Sequence, residues 1–320
     1  MRKAILFFTL LSMGMIRGFA QCDPATPVTM NNEGGSSRES SDRSSLLVST
    51  TWLADHLKDP SLVLIQIGPK EGYEAGHIAG ARFLSLMDIS TPSGKGLTLE
   101  LPKVDELKST LEGLGISNNS RIVLYYGTDW VSPTTRVFFT LDYLGLGDRT
   151  SILDGGLPVW RAEGHPVTKE LPKVQQGSLT PHPRPSVVVD AAWVSSNLNN
   201  HSVAIIDARA PEYYSGTSAG KIRRAGHIPG AMNVPYSSLL DDSNKLKTPD
   251  ELRAAFLAAN IKPDSHIVSY CHIGQQATVV YFVARYLGYE PSLYDGSFED
   301  WSARTELPVT TAGSGESGRK

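Results

Sequence analysis

Only two cysteines occur in the 320 residues, Cys22 and Cys271, and the second stands where a thiol can work. Ile267-Val268-Ser269-Tyr270 has the pattern of a buried strand, and Cys271 to Gln276 lead from it into a helix. In open parallel sheets, ligands bind at this carboxyl end of a strand. The following helix turns unpaired backbone N–H groups back towards the loop, which favours an anion and draws a thiol below its free pKa of about 8.5. Gly274 lets the loop bend so that successive amides face inwards, as in an anion-binding nest. A thiolate so placed can attack a sulfane sulfur, hold it as a persulfide and surrender it to a second nucleophile. The loop Ile273, Gly274, Gln275, Gln276 and Ala277 would stabilise both charged states. The competing reading is a buried thiol that packs as a small hydrophobe.

Several polar residues lie near this loop in sequence or by pattern. Asp207-Ala208-Arg209 follows the strand Ala204-Ile205-Ile206, and Arg209 either holds an anionic donor or pairs structurally with Asp207. His272 could add positive charge below its ordinary pKa of about 6.5, or simply face solvent. A cysteine phosphatase would need an arginine six residues after the cysteine, and Ala277 stands there, so the bidentate clamp for a phosphoryl group is missing.

The elements that must position these residues come as a duplication. Gly76-His77-Ile78-Ala79-Gly80-Ala81 returns as Gly226-His227-Ile228-Pro229-Gly230-Ala231, and Arg121 to Tyr126 (RIVLYY) as His266 to Cys271 (HIVSYC). Leu153-Asp154-Gly155-Gly156 with Trp160 closes one unit, and Tyr294-Asp295-Gly296-Ser297 with Trp301 closes the other. Within each unit apolar strands alternate with helices, which implies an α/β fold with a mostly parallel sheet flanked by helices. Thr248-Pro249-Asp250-Glu251 predicts a capped helix start, and Ala277 to Leu287 predicts a helix stopped by Gly288. The units differ where chemistry would sit: Asp207, Arg209 and Cys271 in the second correspond to Gln66, Gly68 and Tyr126 in the first. One half is therefore expected to be catalytic and the other inert. His77 and His227 recur in both halves, so they are expected to serve the fold. Ser297, where the first unit has Gly156, is expected to line the pocket.

Arg2 and Lys3 precede an apolar run from Ala4 to Ile16, and Gly18-Phe19-Ala20 offers a cleavage site, so residues 1–20 read as a signal peptide. Export to the periplasm or medium is expected, with no integral span after cleavage. Lipidation of Cys22 is the alternative, disfavoured by Gln21. Residues 21–45 read as a flexible leader, 46–172 as the inert domain, 173–186 as a linker stiffened by Pro181, Pro183 and Pro185, 187–312 as the catalytic domain and 313–320 as a flexible tail. A formal net charge of −3 carries no footprint for nucleic acid or an acidic membrane surface. Nothing in the charge pattern identifies a protein partner.

From Leu46 to Val309 the chain resembles the tandem rhodanese-domain sulfurtransferases, the family of thiosulfate and 3-mercaptopyruvate sulfurtransferases. The resemblance rests on the second GHI segment, on Cys271-His272-Ile273-Gly274-Gln275-Gln276-Ala277, on Tyr294-Asp295-Gly296-Ser297 before Trp301, and on Asp207-Ala208-Arg209. It implies two rhodanese-like domains and a ping-pong cycle through a Cys271 persulfide, with no metal or organic cofactor. The partners it implies are a small anionic sulfur donor and a thiophilic acceptor such as cyanide or a thiol. Mercaptopyruvate enzymes of the family place a further arginine where this chain has Tyr213, and another in a segment of different length, where Arg224, or failing that Arg223, supplies the charge. With Tyr213 in that place and charge expected on His272, thiosulfate is the favoured donor. A non-enzymatic sulfur-relay module is the reading of another class.

Overall fold

The computed structural model describes residues 45–128 and 130–311. The segments expected to be a signal peptide and a leader up to residue 44, with Cys22, and the residues after 311 lie outside them.

Two five-stranded sheets form, every strand pair parallel. The first unit runs β1 (Leu47–Val48), α1 (Thr50–His56), β2 (Leu62–Ile67), α2 (Lys70–Ala75), β3 (Arg82–Leu84), α3 (Val104–Gly113), β4 (Arg121–Tyr126), α4 (Ser132–Tyr143), β5 (Thr150–Leu153) and α5 (Gly156–Ala162). The second repeats it as β6 (Val188–Val189), α6 (Ala191–Ser196), β7 (Val203–Asp207), α7 (Pro211–Ser215), β8 (Met232–Asn233), α8 (Pro249–Ala258), β9 (His266–Tyr270), α9 (Ala277–Leu287), β10 (Ser292–Tyr294) and α10 (Ser297–Ala303). The strand orders β1-β5-β4-β2-β3 and β6-β10-β9-β7-β8 are the same topology twice. The expected α/β fold and duplication are both present.

The strands at the middle of each sheet are mostly apolar runs, as burial on both faces demands, with Gln66 and Ser269 as buried polar exceptions within them. The flanking strands are two to four residues long, too short to show a period, and the sequence pattern misses them. The predicted cap of α8 forms in full: Thr248 accepts from the Glu251 N–H while the Glu251 carboxylate accepts from the Thr248 N–H. Gly288, at φ +89°, ends α9 in the left-handed region that glycine enters without steric cost.

α4 and α9 are buried nearly all round and pack on each other between the units. Phe138 meets Phe282 edge to face at 4.7 Å and Phe139 meets Tyr281 at 5.1 Å, contacts worth about 0.5–1.5 kcal/mol each beyond their area. Asp142 on α4 accepts from Tyr281 at 2.6 Å and pairs with Arg285 at 3.2 Å. One apolar core consequently runs through both units, and each unit keeps a smaller core on its far face, around Trp160 in the first and Trp301 in the second. No helix among the described residues is long and apolar enough to cross a membrane.

Candidate active site

Cys271 follows directly on β9, and the neighbouring strand β7 pairs Asp207 with Tyr270, so Asp207 and Cys271 emerge at the same sheet edge. The Cys271 N–H donates to Ser297 Oγ at 3.2 Å, and its carbonyl accepts from the Phe298 N–H at 3.0 Å. The start of α10 thereby holds the cysteine from the other side. Ser297 is fully buried and its hydroxyl donates to Tyr294 O at 2.9 Å, so it supports the cysteine backbone and does not line the pocket as expected.

The loop after Cys271 has the shape its composition requires. Gly274 sits at φ +75°, and a Cβ there would lie 2.7 Å from the Asp295 carbonyl oxygen, so space and backbone both call for glycine. Among the described residues, none makes a hydrogen bond to the backbone N–H groups of Ile273, Gly274, Gln275 or Gln276. Unpaired amides beside a cysteine at a strand-to-helix turn are what an anionic sulfur needs. Cys271 is itself only 1 % exposed, and burial alone would suit the inert-thiol reading equally well; the free amides separate the two.

Beside this loop an open cleft of about 680 Å³ is lined by His272 and Ile273, by Tyr213, by Lys221 and Arg223, and by Leu97 and Thr98 of the first unit. Two of the length differences between the repeats fall on it. Tyr73 and Tyr214 are 141 residues apart, whereas Gly76 and Gly226 are 150 apart, so the second unit carries nine extra residues, and these include Lys221 and Arg223. By Leu101 and Leu246 the separation has fallen to 145, which gives the first unit five extra residues between Ser90 and Leu101. That longer loop reaches across: the Thr98 N–H and Oγ1 donate to the Glu299 carboxylate at 2.9 and 3.0 Å, and the Leu101 N–H donates to Asp295 Oδ2 at 3.0 Å. Sequence reasoning misses Leu97, Thr98 and Lys221, which belong to no motif; the uneven spacing of the repeats is the signal that marks them.

The charged residues expected at the site divide sharply. Arg209 does not face the cleft. It is fully buried, donates from Nε to Asp207 Oδ1 at 2.9 Å, from Nη2 to Asp207 Oδ2 at 2.5 Å and from Nη2 to Gly226 O at 2.8 Å, and lies over the Phe298 ring at 4.2 Å. Burial works against its charge, but the Asp207 hydrogen bonds and charge outweigh it and hold the guanidinium pKa above its ordinary value, with Cys271 adding a smaller pull. This is the structural ion pair, with the Arg209 charge close enough to Cys271 to interact with it. Arg224 is also removed from donor binding. Its guanidinium donates to the carbonyls of Trp301, Ser302, Arg304 and Leu307 at 2.7–3.0 Å, closing the C-terminal end of α10, where helix carbonyls have no partner of their own. Arg223, the second choice from sequence, is the exposed one in the cleft wall.

His272 does line the cleft, with its ring edge to face on Tyr213 at 4.6 Å. Burial, and after it the Arg209 charge, lowers its pKa to about 4, only partly offset by Asp207, so the charge expected on it is absent at neutral pH. His227 Nδ1 lies 2.7 Å from Tyr214 O, with the two rings stacked at 3.8 Å. His77 repeats both contacts with Tyr73, the fold-serving role expected of residues present in both units. In the first unit, Tyr126 fills the place of the cysteine and donates to Asn244 O at 2.9 Å, and Gln66 bonds the Tyr125 hydroxyl at 2.8 Å where the second unit has its ion pair.

The family model of the rhodanese-like domain matches residues 49–163 and again 190–304. Among curated proteins, the chain is 31% identical over 272 residues to a thiosulfate sulfurtransferase of Azotobacter vinelandii, covering 82% of this chain and 96% of that one. It is 31% identical over 281 residues to a probable 3-mercaptopyruvate sulfurtransferase of Pseudomonas aeruginosa, covering 84% and 99%. It is also 31% identical to the sulfur carrier protein TtuD of Thermus thermophilus, covering 82% and 96%. Among solved structures, an anaerobic ergothioneine biosynthesis enzyme from Chlorobium limicola superposes with a TM-score of 0.75 at 24% identity, covering 84% of this chain and 71% of the other; at that identity it speaks for the fold alone.

Proposed function

The chain belongs to the rhodanese-like family, and on that premise we propose that it transfers sulfane sulfur through a persulfide on Cys271, with thiosulfate preferred to 3-mercaptopyruvate as donor. The observation that carries the reading is the row of free N–H groups from Ile273 to Gln276 beside a cysteine that closes a parallel strand. In the first half-reaction the Cys271 thiolate attacks the sulfane sulfur of thiosulfate. A new S–S bond forms, the donor's S–S bond breaks, and its electron pair leaves with sulfite. In the second, cyanide or a thiolate attacks the outer sulfur and Cys271 departs as thiolate. The amides receive negative charge in both states, and the Arg209 guanidinium, kept charged by Asp207, interacts with Cys271 as a smaller contribution.

The preference for thiosulfate rests on Tyr213. It sets an aromatic ring against His272 in the place of a guanidinium, so the cleft has one bidentate partner for a carboxylate fewer, while the exposed Lys221 and Arg223 still draw in an anion. Steady-state assays with both donors test this. The kcat/KM for thiosulfate is expected to exceed that for 3-mercaptopyruvate, to vanish in Cys271→Ser and to fall through KM in Arg223→Ala; the reverse order of donors overturns the preference. A relative named a sulfur carrier supports a second reading, in which Cys271 accepts sulfur for a protein partner without turning over a small donor. One equivalent of sulfite released from thiosulfate, with no further turnover on adding cyanide or thiols, is its signature. We propose export on the pattern of residues 1–20.

A further inference from the structure

We propose that the half without the cysteine holds the reactive loop in shape, and that Arg136 is the positioning residue through which it does so. This inference rests on the Cys271 reading above. Arg136 lies on α4 of the first unit and is fully buried. Its Nη1 donates to the Gly274 carbonyl at 3.2 Å and to Asp295 Oδ1 at 2.6 Å, while Nη2 donates to Leu99 O at 2.5 Å. One planar guanidinium thus ties together the turn after Cys271, the turn that carries Ser297 to the Cys271 N–H, and the cross-unit loop whose Leu97 and Thr98 line the cleft. Asp295 completes the tie by accepting from the Leu101 N–H. Ser132 and Thr135, on the same helix, reach the same segment through Gln275 Nε2 at 2.9 Å and Thr278 Oγ1 at 2.8 Å.

The duplication supplies an internal control. The helices themselves align at a spacing of 143 residues, Val137-Phe138-Phe139 with Val280-Tyr281-Phe282 and Tyr143-Leu144-Gly145 with Tyr286-Leu287-Gly288, so Ser132 corresponds to Gln275, Thr135 to Thr278 and Arg136 to Val279. The Ser132–Gln275 and Thr135–Thr278 bonds thus join equivalent positions, whereas Val279 has no polar group with which to hold the loop after Tyr126. The guanidinium clamp therefore exists in one direction only, towards the unit with the cysteine. Docking of the units does not depend on it, because Phe138, Phe139 and Asp142 make their own contacts with α9.

The mechanism is geometric. With the fork removed, Gly274 O and Asp295 lose a charged donor and the amides from Ile273 to Gln276 lose their fixed direction, which acts on reaction of the bound donor more than on its binding. The test uses the full chain as Arg136→Ala, Arg136→Lys and, as a control elsewhere on the same interface, Tyr281→Phe. In Arg136→Ala, kcat with thiosulfate is expected to fall about 100-fold with little change in KM, the scale on which small misplacements act. Millimolar guanidinium should restore much of it, and hydrogen exchange should quicken in the peptide carrying 272–276 but not in β9. Arg136→Lys keeps the charge without the fork and should remain impaired; it decides the matter if the alanine variant does not fold. Tyr281→Phe should lower the unfolding midpoint and leave exchange at 272–276 unchanged. Wild-type kcat and exchange in both Arg136 variants overturn the proposal, as does an equal effect of Tyr281→Phe on the loop. Hydrogen exchange reads the loop without turnover, so a wild-type chain inactive with every donor would overturn the sulfurtransferase reading while the clamp was still decided.

Discussion

The Asp207–Arg209 pair offers a quantitative test because both side chains are wholly buried and the first unit shows the same place built without charge. Asp207→Asn removes the negative charge and replaces Oδ2, which faces Arg209 Nη2, with a donor or forces the amide to turn. Arg209 is then left charged, with Gly226 O and one amide oxygen as its acceptors, and Nη1 already has no hydrogen-bond partner. Breaking a buried pair from one side costs about 3–5 kcal/mol, since an uncompensated charge stays inside. Replacing both partners, as Asp207→Asn with Arg209→Met, removes that charge, keeps most of the volume over Phe298 and should recover at least about 2 kcal/mol of the loss. Urea unfolding followed by tryptophan fluorescence measures the effect, with Trp193 and Trp301 both in the affected unit. An Asp207→Asn chain within about 0.5 kcal/mol of wild type, the scatter of ordinary surface changes, would show that the pair is not the buried electrostatic unit described. A double variant no more stable than the sum of the singles would refute the coupling.

His272 gives a pH test whose sign follows from its lowered pKa. The unfolded chain takes the proton near pH 6.5 and the folded chain only near pH 4, so the stability gained from the neutral ring is complete above about 6.5 and is lost as pH falls towards 4. Wild type should lose up to about 1.4 kcal/mol per pH unit more than His272→Gln across that window, and parallel curves would contradict the assignment. Export with cleavage after Ala20 predicts that the mature chain begins at Gln21 by N-terminal sequencing; an intact Met1 would sink export, and a lipid-modified Cys22 at the N-terminus would sink that cleavage site.

The features legible in the sequence are those that are local or repeated. Cys271 is marked by the strand in front of it and the helix behind it, and the duplication exposes Gln66, Gly68 and Tyr126 as the places where one half lacks the polar set. His77 and His227 are assigned to the fold by the same repetition, and both rings do lie against backbone carbonyls. Arg224 and His272 escape such reasoning because residue type does not say what a side chain faces: one guanidinium meets four backbone carbonyls at and just beyond the end of α10, and one imidazole is too buried to hold a proton at neutral pH. Arg136 is invisible in the sequence because its partners lie 37, 138 and 159 residues away and no local pattern marks it.

The crossing of the Ser90–Leu101 loop into the second unit changes how variation in this protein should be interpreted. A substitution at Leu97, Thr98, Ser132 or Arg136 lies in the half that has no nucleophile, yet each of these residues touches the cleft or the loop beside Cys271. Loss-of-function alleles are therefore expected on both sides of the linker. A survey that confined itself to the second half would miss part of the reaction's support.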